Sequence, residues 1–268
     1  MKKIILFILV STLGLIALAQ DSTTIKKSSK SDRKAEKRKR INAISKQEEE
    51  GTLSFHKQSS FGLELRTNGY GAFYELGKRR SPRWTNIYNL EVTEIKNRKE
   101  DKIGGAESFF SNSYVFGKKN NFYQFKLGLG QQYILGQKGN KNGVAVTASL
   151  SGGLSLGFLK PYFLQVVDSL NREKTISYDQ DSLTFLDRGS ILGGAGFTKG
   201  WNAVKLKPGL FVKTALRFDF GRYNERVQAL EIGMSVEAFA QKIPIMVYSD
   251  PKGFFFQGHV AFVFGSRK

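Results

Sequence analysis

The chain has 268 residues, a formal net charge of +19 and no cysteine. The absence of cysteine excludes disulfide bonds, thiolate metal sites, a cysteine nucleophile and a lipidated cysteine anchor. Strand and turn formers dominate, with 28 Gly, 22 Phe and 10 Tyr against five Pro, and this composition disfavours a helical domain.

The first residues have the composition of a secretory signal peptide. Lys2 and Lys3 form a positive n-region, residues 4–18 are apolar, and Ala17-Leu18-Ala19 is a small-residue cleavage site. The apolar run is shorter than the roughly 20 residues of a membrane-spanning helix. We therefore favour a cleaved signal over residues 1–19. Export also argues against nucleic acid as the partner of the positive charge.

Residues 20–57 form a basic segment with almost no aromatic residues, which predicts an arm outside the core. Ser31 or Asp32 can cap a short helix from Ala35 to Gln47. We favour a solvated, partly helical or disordered arm over a dedicated partner-binding helix. Its candidate partner-binding residues are Arg33, Lys34, Lys37, Arg38, Lys39 and Arg40.

From Phe61 onward, apolar residues recur with a period of two. This is the pattern of a transmembrane barrel strand, with one side facing lipid and the other facing the lumen. The pattern is clearest in segment 225–240, where Leu230, Ile232, Met234, Val236 and Ala238 alternate with Glu231, Gly233, Ser235 and Glu237. Beyond the signal no apolar stretch has the length of a transmembrane helix, so the mature chain is predicted to be either soluble or a closed barrel.

The number of strands depends on residues 61–78. A hairpin turning at Asn68-Gly69 would demand a further strand within 161–168 and give ten strands, because bacterial barrels have an even number. Taking 61–78 as one strand gives eight, at 61–78, 84–96, 106–117, 122–134, 143–159, 206–220, 225–240 and 253–265.

We therefore predict an all-β fold, a transmembrane antiparallel up-and-down barrel of eight strands over residues 58–268, with ten as the alternative. The basic arm would then face the periplasm, and connections 160–205 and 241–252 would face outward. We expect the first connection to be the functional surface and part of it to fold over the barrel mouth. Its Gly-rich residues 193–200 lack the residue order of a P-loop and predict an external loop.

Charged residues on the lumen-facing side are the most distinctive candidate site. An eight-stranded barrel has an interior just wide enough for side chains to fill it. A buried charge without a partner is costly, so the mixed signs predict an internal network of ion pairs, with a narrow polar pathway as the alternative. The predicted lumen residues are Glu91, Lys126, Lys213, Arg217, Asp219, Glu231, Glu237 and His259.

Catalysis finds little support in the sequence. The two histidines are His56 and His259, and Ala261 occupies the position on the face of His259 where a serine nucleophile would be needed. No cluster of histidine and carboxylate residues has the spacing of metal ligands. We therefore predict no catalytic residue, no cofactor and no metal.

The closing strand, with Phe254, Phe256, Val260, Phe262 and Phe264 on one face, resembles the assembly signal of outer-membrane barrels, although residues 265–268 replace a terminal aromatic. Further similarity lies in the Thr67–Gly71 turn, the Gly136–Gly143 connection and Leu159–Tyr162. On these residues the chain resembles the small outer-membrane β-barrels of Bacteroidota-type bacteria over about residues 61–265.

The resemblance implies a location in the outer membrane, and some members of that group are accessory subunits of secretion or protein-insertion machines. We therefore expect a non-enzymatic structural or accessory subunit whose partners are the lipid bilayer and other proteins. A narrow channel for small polar solutes and a lipid-modifying enzyme are the alternatives.

Overall fold

The structure is a computed structural model that describes residues 38–39, 55–104, 113–139, 142–168 and 170–268. Arg38 and Lys39 have helical backbone and are exposed. The predicted signal peptide and most of the basic arm, including Arg33, Lys34, Lys37 and Arg40, lie outside the described residues. No helix in the described ranges has the length and apolar character of a membrane span.

The described residues form thirteen strands. In chain order these are β1 (Lys57–Arg66), β2 (Gly69–Arg79), β3 (Trp84–Ile95), β4 (Lys102–Ile103), β5 (Tyr114–Val115), β6 (Asn120–Gly136), β7 (Ala145–Pro161), β8 (Phe163–Val167), β9 (Glu173–Ser177), β10 (Ile191–Gly194), β11 (Lys205–Asp219), β12 (Arg226–Ile243) and β13 (Lys252–Arg267).

Eight of these strands close into an antiparallel barrel in the order β1-β13-β12-β11-β7-β6-β3-β2. Each barrel strand pairs with the barrel strands before and after it in the chain, and β13 pairs with β1 to close the sheet. Closure leaves no unpaired edge, so the backbone groups of the barrel strands have partners all the way round. The prediction of an eight-stranded up-and-down barrel is confirmed.

The assignment of two of the eight strands was wrong. Residues 61–78 form the hairpin of β1 and β2, in which Arg66 pairs with Gly69. A Cβ atom at Gly69 would lie 1.9 Å from the backbone oxygen of Glu94, so this tight turn requires glycine. The apolar side changes from odd positions before the turn to even positions after it, because two turn residues intervene.

The predicted strand 106–117 does not belong to the barrel. Its residues 106–112 are outside the described ranges, and β5 pairs with β4 in a separate two-stranded sheet. The strand β8, at the place where a ten-stranded barrel would need one, pairs with β9 and β10 instead. The total of eight is therefore correct because one strand too few at the first hairpin offsets one too many at 106–117.

Side chains alternate between an exposed outer side and a buried inner side along the barrel strands. The outer side is strongly apolar, and Leu65, Leu129 and Phe256 expose 71%, 66% and 64% of their surface. Charged residues at outward positions of the described barrel lie near strand ends, at Lys57, Lys78, Glu94, Lys160, Arg226, Lys242 and Lys252. The middle of the barrel wall is therefore an uncharged apolar band.

The two ends of the barrel differ in their connections. At the terminal end, where β1 begins and β13 ends, the turns are short and comprise residues 80–83, 137–144 and 220–225. At the loop end, residues 67–68 form a turn, and the other connections are 96–119, 162–204 and 244–251. Among the described residues, the long connections therefore lie at the loop end.

The connection 162–204 folds into a small unit, the loop-end subdomain, which comprises β8, β9, β10 and the short helix Ser182–Leu186. Asp181 caps this helix, and its side chain accepts a hydrogen bond of 3.1 Å from the Thr184 backbone amide. The core of the subdomain contains Tyr114, Leu164, Val166, Ile176, Phe185 and Ile191. Gly193 and Gly194 lie in β10, so the predicted loop at 193–200 is wrong in its first part, because those residues pair with β8.

Candidate functional site

The interior of the barrel holds the densest group of charged side chains. All eight residues predicted to face the lumen are buried there, on β3, β6, β11, β12 and β13. Their positions follow from the alternation of the strands, because each has the parity opposite to the apolar outer residues. The inner side also carries Glu64, Arg66, Glu75 and Arg267, which the sequence analysis did not single out.

Glu237 on β12 collects the largest number of donors. Arg66 Nη2 donates to Glu237 Oε1 over 2.6 Å, and the Lys126 ammonium pairs with the same carboxylate. The side-chain amides of Gln124 and Gln257 donate to it over 2.8 and 2.6 Å. These donors come from β1, β6 and β13, so one carboxylate links strands on opposite sides of the lumen.

Glu91 on β3 has a similar set of partners. Lys126 Nζ lies 2.7 Å from Glu91 Oε1, and Lys213 Nζ lies 3.1 Å from Glu91 Oε2. Lys213 also donates to Glu64 over 2.8 Å. Because Lys126 bridges Glu91 and Glu237, these ion pairs form one connected network rather than isolated pairs.

Arg217 on β11 extends the network toward the terminal end. It donates from Nη2 to Glu75 over 2.6 Å and from Nε to Glu231 over 2.8 Å. His259 Nε2 lies 3.4 Å from Glu231, so the imidazole is part of the same network. Among the described residues no group of histidine and acidic side chains could hold a metal ion.

The terminal end of the lumen is closed by a second set of contacts. Arg267 Nη2 lies 2.6 Å from Asp219, and Lys138 reaches from a turn to within 3.6 Å of the same carboxylate. Phe55 crosses the opening and packs with Ile134 and Ala145 on the far wall. The guanidinium groups of Arg79 and Arg267 lie 5.1 and 5.2 Å from the centre of the Phe55 ring.

The loop end of the lumen is closed by an apolar cluster. Phe122 packs against Phe239 and Phe255, with ring centres 5.2 and 6.0 Å apart. Val115, Ile245 and Met246, which lie in the connections at the loop end, complete the cluster. Its buried members are Ile95, Val115, Phe122, Leu159, Phe239, Ile243, Ile245, Met246 and Phe255. The interior is thus a charged middle layer between two closures.

The charges of the interior balance. The described lumen residues include the acids Glu64, Glu75, Glu91, Asp219, Glu231 and Glu237, and the bases Arg66, Lys126, Lys138, Lys213, Arg217 and Arg267. Equal numbers with direct contacts between opposite signs reduce the cost of burying each charge. This arrangement fills the lumen and joins the strands of the barrel wall.

Two of the residues that sequence reasoning missed have a structural cause. Glu75 takes the inner parity only once 61–78 is divided into two strands, since a single strand would place it with Phe61 on the outer side. Lys138 lies on a turn, where alternation gives no signal. Glu64 and Arg66 had the correct parity and a charge, so they were recognisable by the rule that found Glu91.

No family model and no curated protein matches the chain. Among solved structures it is similar to Neisserial surface protein A, with 10% identity and a TM-score of 0.37 over 80% of this chain and 97% of that one. It is also similar to Ail, the attachment invasion locus protein of Yersinia pestis, with 12% identity and a TM-score of 0.35 over 80% and 100%. The N-terminal β-barrel domain of Pseudomonas aeruginosa OprF gives 9% identity and a TM-score of 0.36 over 79% and 99%.

Proposed function

We propose that this protein is an integral β-barrel of a Gram-negative outer membrane that works without catalysis, as a structural or accessory subunit of a membrane complex. The basic arm and the terminal end face the periplasm in this proposal, and the loop end faces outward. The assignment of the chain to the small outer-membrane barrels of Bacteroidota-type bacteria is part of the same proposal.

The apolar band supports the location in a membrane. On β13 the outward residues from Phe254 to Phe264 are uncharged over a stretch that matches the roughly 9–11 residues of a transmembrane strand. Aromatic side chains lie toward both edges of the band, with Trp84 near the terminal end and Tyr123 near the loop end. Such aromatic girdles are typical of the two membrane interfaces of a barrel.

The filled lumen is the observation that carries the rest of the proposal. A channel needs a continuous polar path, whereas here a charge-balanced network lies between Phe55 and the cluster around Phe122. His259 Nε2 lies 3.4 Å from Glu231, and the Ser235 hydroxyl accepts a hydrogen bond of 2.7 Å from Arg66, so both side chains are part of the network that fills the lumen. The working surface is then on the outside of the barrel and on its connections.

The loop-end subdomain supports docking of a protein partner. It is a folded unit with its own core, yet Leu183 on its helix exposes 85% of its surface and Leu170 exposes 68%. Apolar side chains presented to solvent by an ordered unit favour a protein interface. We propose that the partner binds this subdomain, and that the basic arm provides a second contact on the periplasmic side.

The first experiment tests the membrane location. After a urea wash, the protein is expected to remain in the outer-membrane pellet, and its mobility on SDS gels is expected to change on boiling, as for a folded barrel. Reconstituted in planar bilayers, it should show no single-channel conductance. A protein released by urea in soluble form would contradict the barrel proposal, and stable conductance would favour the channel alternative.

The second experiment tests the docking role. Cross-linking in cells followed by purification in mild detergent should give a specific protein adduct. Leu183→Asp should abolish that adduct while leaving the heat-dependent gel shift intact, because Leu183 contributes little to the core. Lys199→Asp, at another exposed loop-end position, serves as the control and should retain the adduct. A protein that remains without adducts, or that loses them equally in both variants, would contradict docking at this surface.

A further inference from the structure

Three lysines form a row across adjacent strands on the outer surface at the terminal end. Lys57 lies directly opposite Lys78 in the register of β1 and β2. On its other side, the Lys57 amide and carbonyl exchange hydrogen bonds of 2.8 Å with Lys268, which directly follows β13. All three residues are exposed. Because neighbouring strands are about 4.8 Å apart, the row places three lysines along one short line at the barrel rim.

No acidic side chain compensates this row. None of Lys57, Lys78 and Lys268 forms a salt bridge with another residue in the described ranges. In the lumen, by contrast, Lys126 and Lys213 each contact carboxylates. Like charges directly opposite each other on a sheet are destabilising, so the row favours binding of an anion from outside the protein.

From the lysine row toward the middle of the barrel, the outer surface changes from polar to apolar. The next outward positions toward the middle of the barrel are Ser266, Ser59, Leu76 and Tyr88, in paired register across four strands. The Ser59 and Ser266 hydroxyls lie 3.3 Å apart. Beyond them come Phe264, Phe61, Tyr74 and Leu90, within the apolar band.

The three lysines line one open groove of about 470 Å³ together with Ser59, Leu76, Tyr88 and Ser266. Its layers correspond to those of a phospholipid. The ammonium groups match a phosphate, the hydroxyls match the glycerol and ester oxygens, and the apolar floor matches an acyl chain. A free phosphate would use only the rim, whereas the floor of the groove continues into the apolar band.

We propose that this groove binds an anionic glycerophospholipid of the leaflet at the terminal end, with the headgroup phosphate on Lys57, Lys78 and Lys268. This inference rests on the proposed membrane location, because the acyl chain has to lie in the apolar band. The bound lipid would neutralise the row and fix the depth of the barrel in the bilayer.

Native mass spectrometry of the barrel released from nanodiscs tests the inference. The nanodiscs contain equal amounts of phosphatidylglycerol and phosphatidylcholine, and the retained lipids are counted. We expect the wild-type barrel to retain phosphatidylglycerol in preference to phosphatidylcholine. The triple variant K57Q/K78Q/K268Q should lose that preference by about a hundredfold, because each lysine near a headgroup layer contributes about fivefold in affinity.

The control variant R80Q/R83Q/R222Q removes the same charge from turns at the same end, outside the groove. It should keep the preference. Equal retention of both lipids by the wild type, or an equal loss in both variants, would overturn the inference. Displacement of phosphatidylglycerol by millimolar inorganic phosphate would identify free phosphate as the ligand and overturn it as well.

The heat-dependent gel shift of each variant shows whether the barrel has folded, and a substitution of two lysines at a time replaces the triple variant if it does not fold. Insertion into pure phosphatidylcholine vesicles separates this inference from the proposed function. A barrel that inserts there without selecting phosphatidylglycerol in mixed nanodiscs contradicts only the lipid site. A chain that inserts neither into phosphatidylcholine vesicles nor into mixed nanodiscs contradicts the membrane location itself.

Discussion

Arg66 and Glu237 meet inside the barrel, with Arg66 Nη2 2.6 Å from Glu237 Oε1, although they lie 171 positions apart in the sequence. Their strands, β1 and β12, are separated in the sheet by β13. The pair therefore joins two strands that exchange no backbone hydrogen bonds, on the inner side of the barrel. This contact forms only when β1 has paired with β13, so the Arg66–Glu237 pair stabilises the closure of the sheet.

Removing the carboxylate of Glu237 should be strongly destabilising. Glu237→Ala leaves Arg66 and Lys126 with Glu91 as their remaining shared carboxylate, and the removal of one member of a buried ion pair costs about 3–5 kcal/mol. Urea unfolding in detergent micelles, followed by the fluorescence of the two tryptophans, measures the change. Glu225→Ala, in an exposed turn, should alter stability by less than about 0.5 kcal/mol. Equal losses of stability in the two variants would mean that the ion pairs of Glu237 contribute no more to stability than an exposed side chain does.

Charge balance can be tested by a paired substitution. Glu237→Gln keeps the shape of the side chain but leaves an excess of positive charge, and the addition of Lys126→Met removes one of the two cations. We expect the double variant to be more stable than Glu237→Gln alone, with a coupling between the two substitutions of about 1–2 kcal/mol, which is typical of residues in contact. Unfolding curves of both single variants, the double variant and the wild type complete the cycle. Additive losses would show that the network is not governed by net charge.

Alternation in the sequence predicted much of this interior. The alternation of odd and even positions predicts that Glu231 and Glu237 lie on the opposite side of the strand from Leu230 and Val236. The structure shows this arrangement in β12. The pairing partners were not predictable, because alternation gives the side on which a residue lies and not its height or its neighbour across the lumen. Arg66 and Glu237 could be matched only after the register of every strand between them was known.

The loop-end subdomain was the part least accessible to sequence reasoning. β8 has five residues and β10 has four, so neither is long enough to show a clear period of two. The core of the subdomain also depends on Tyr114, a residue far from Phe185 in the sequence. Tertiary contacts, rather than local patterns, decide the conformation of such short strands.

Asp181 should give the loop-end subdomain a dependence on pH. Hydrogen bonds from the Thr184 hydroxyl and from the Thr184 backbone amide hold the pKa of the Asp181 carboxyl below its usual range. A lowered pKa means that the capping contribution is complete above the pKa of the unfolded chain and is lost as the pH falls through the lower value in the folded protein.

The Thr184 amide resonance reports this titration by NMR in micelles. We expect its midpoint below about 3.9, the value of an unperturbed aspartate. Asp181→Asn should retain the cap, since asparagine is an equally good N-cap, but abolish the pH dependence. A midpoint at or above the unperturbed value would contradict the capping geometry.

The apolar band makes a prediction that depends on depth. Met234 faces outward near the middle of β12, between Ile232 and Val236, and exposes 51% of its surface. In a bilayer this position lies near the midplane, where an arginine on the lipid face costs about 2–4 kcal/mol, falling to about 0–1 near the interfaces. Met234→Arg should therefore lower the free energy of unfolding in lipid vesicles by about 2–4 kcal/mol. Leu206→Arg, at the loop end of β11, should lower it by no more than about 1 kcal/mol.

The comparison of these two variants separates a membrane barrel from a soluble one. Both residues are exposed, so in water an arginine at either position would be tolerated to a similar degree. Only the hydrocarbon core of a bilayer makes the cost depend on distance from the rim. Equal stability of the two variants in vesicles would place the barrel wall in contact with water, and the membrane location would have to be abandoned.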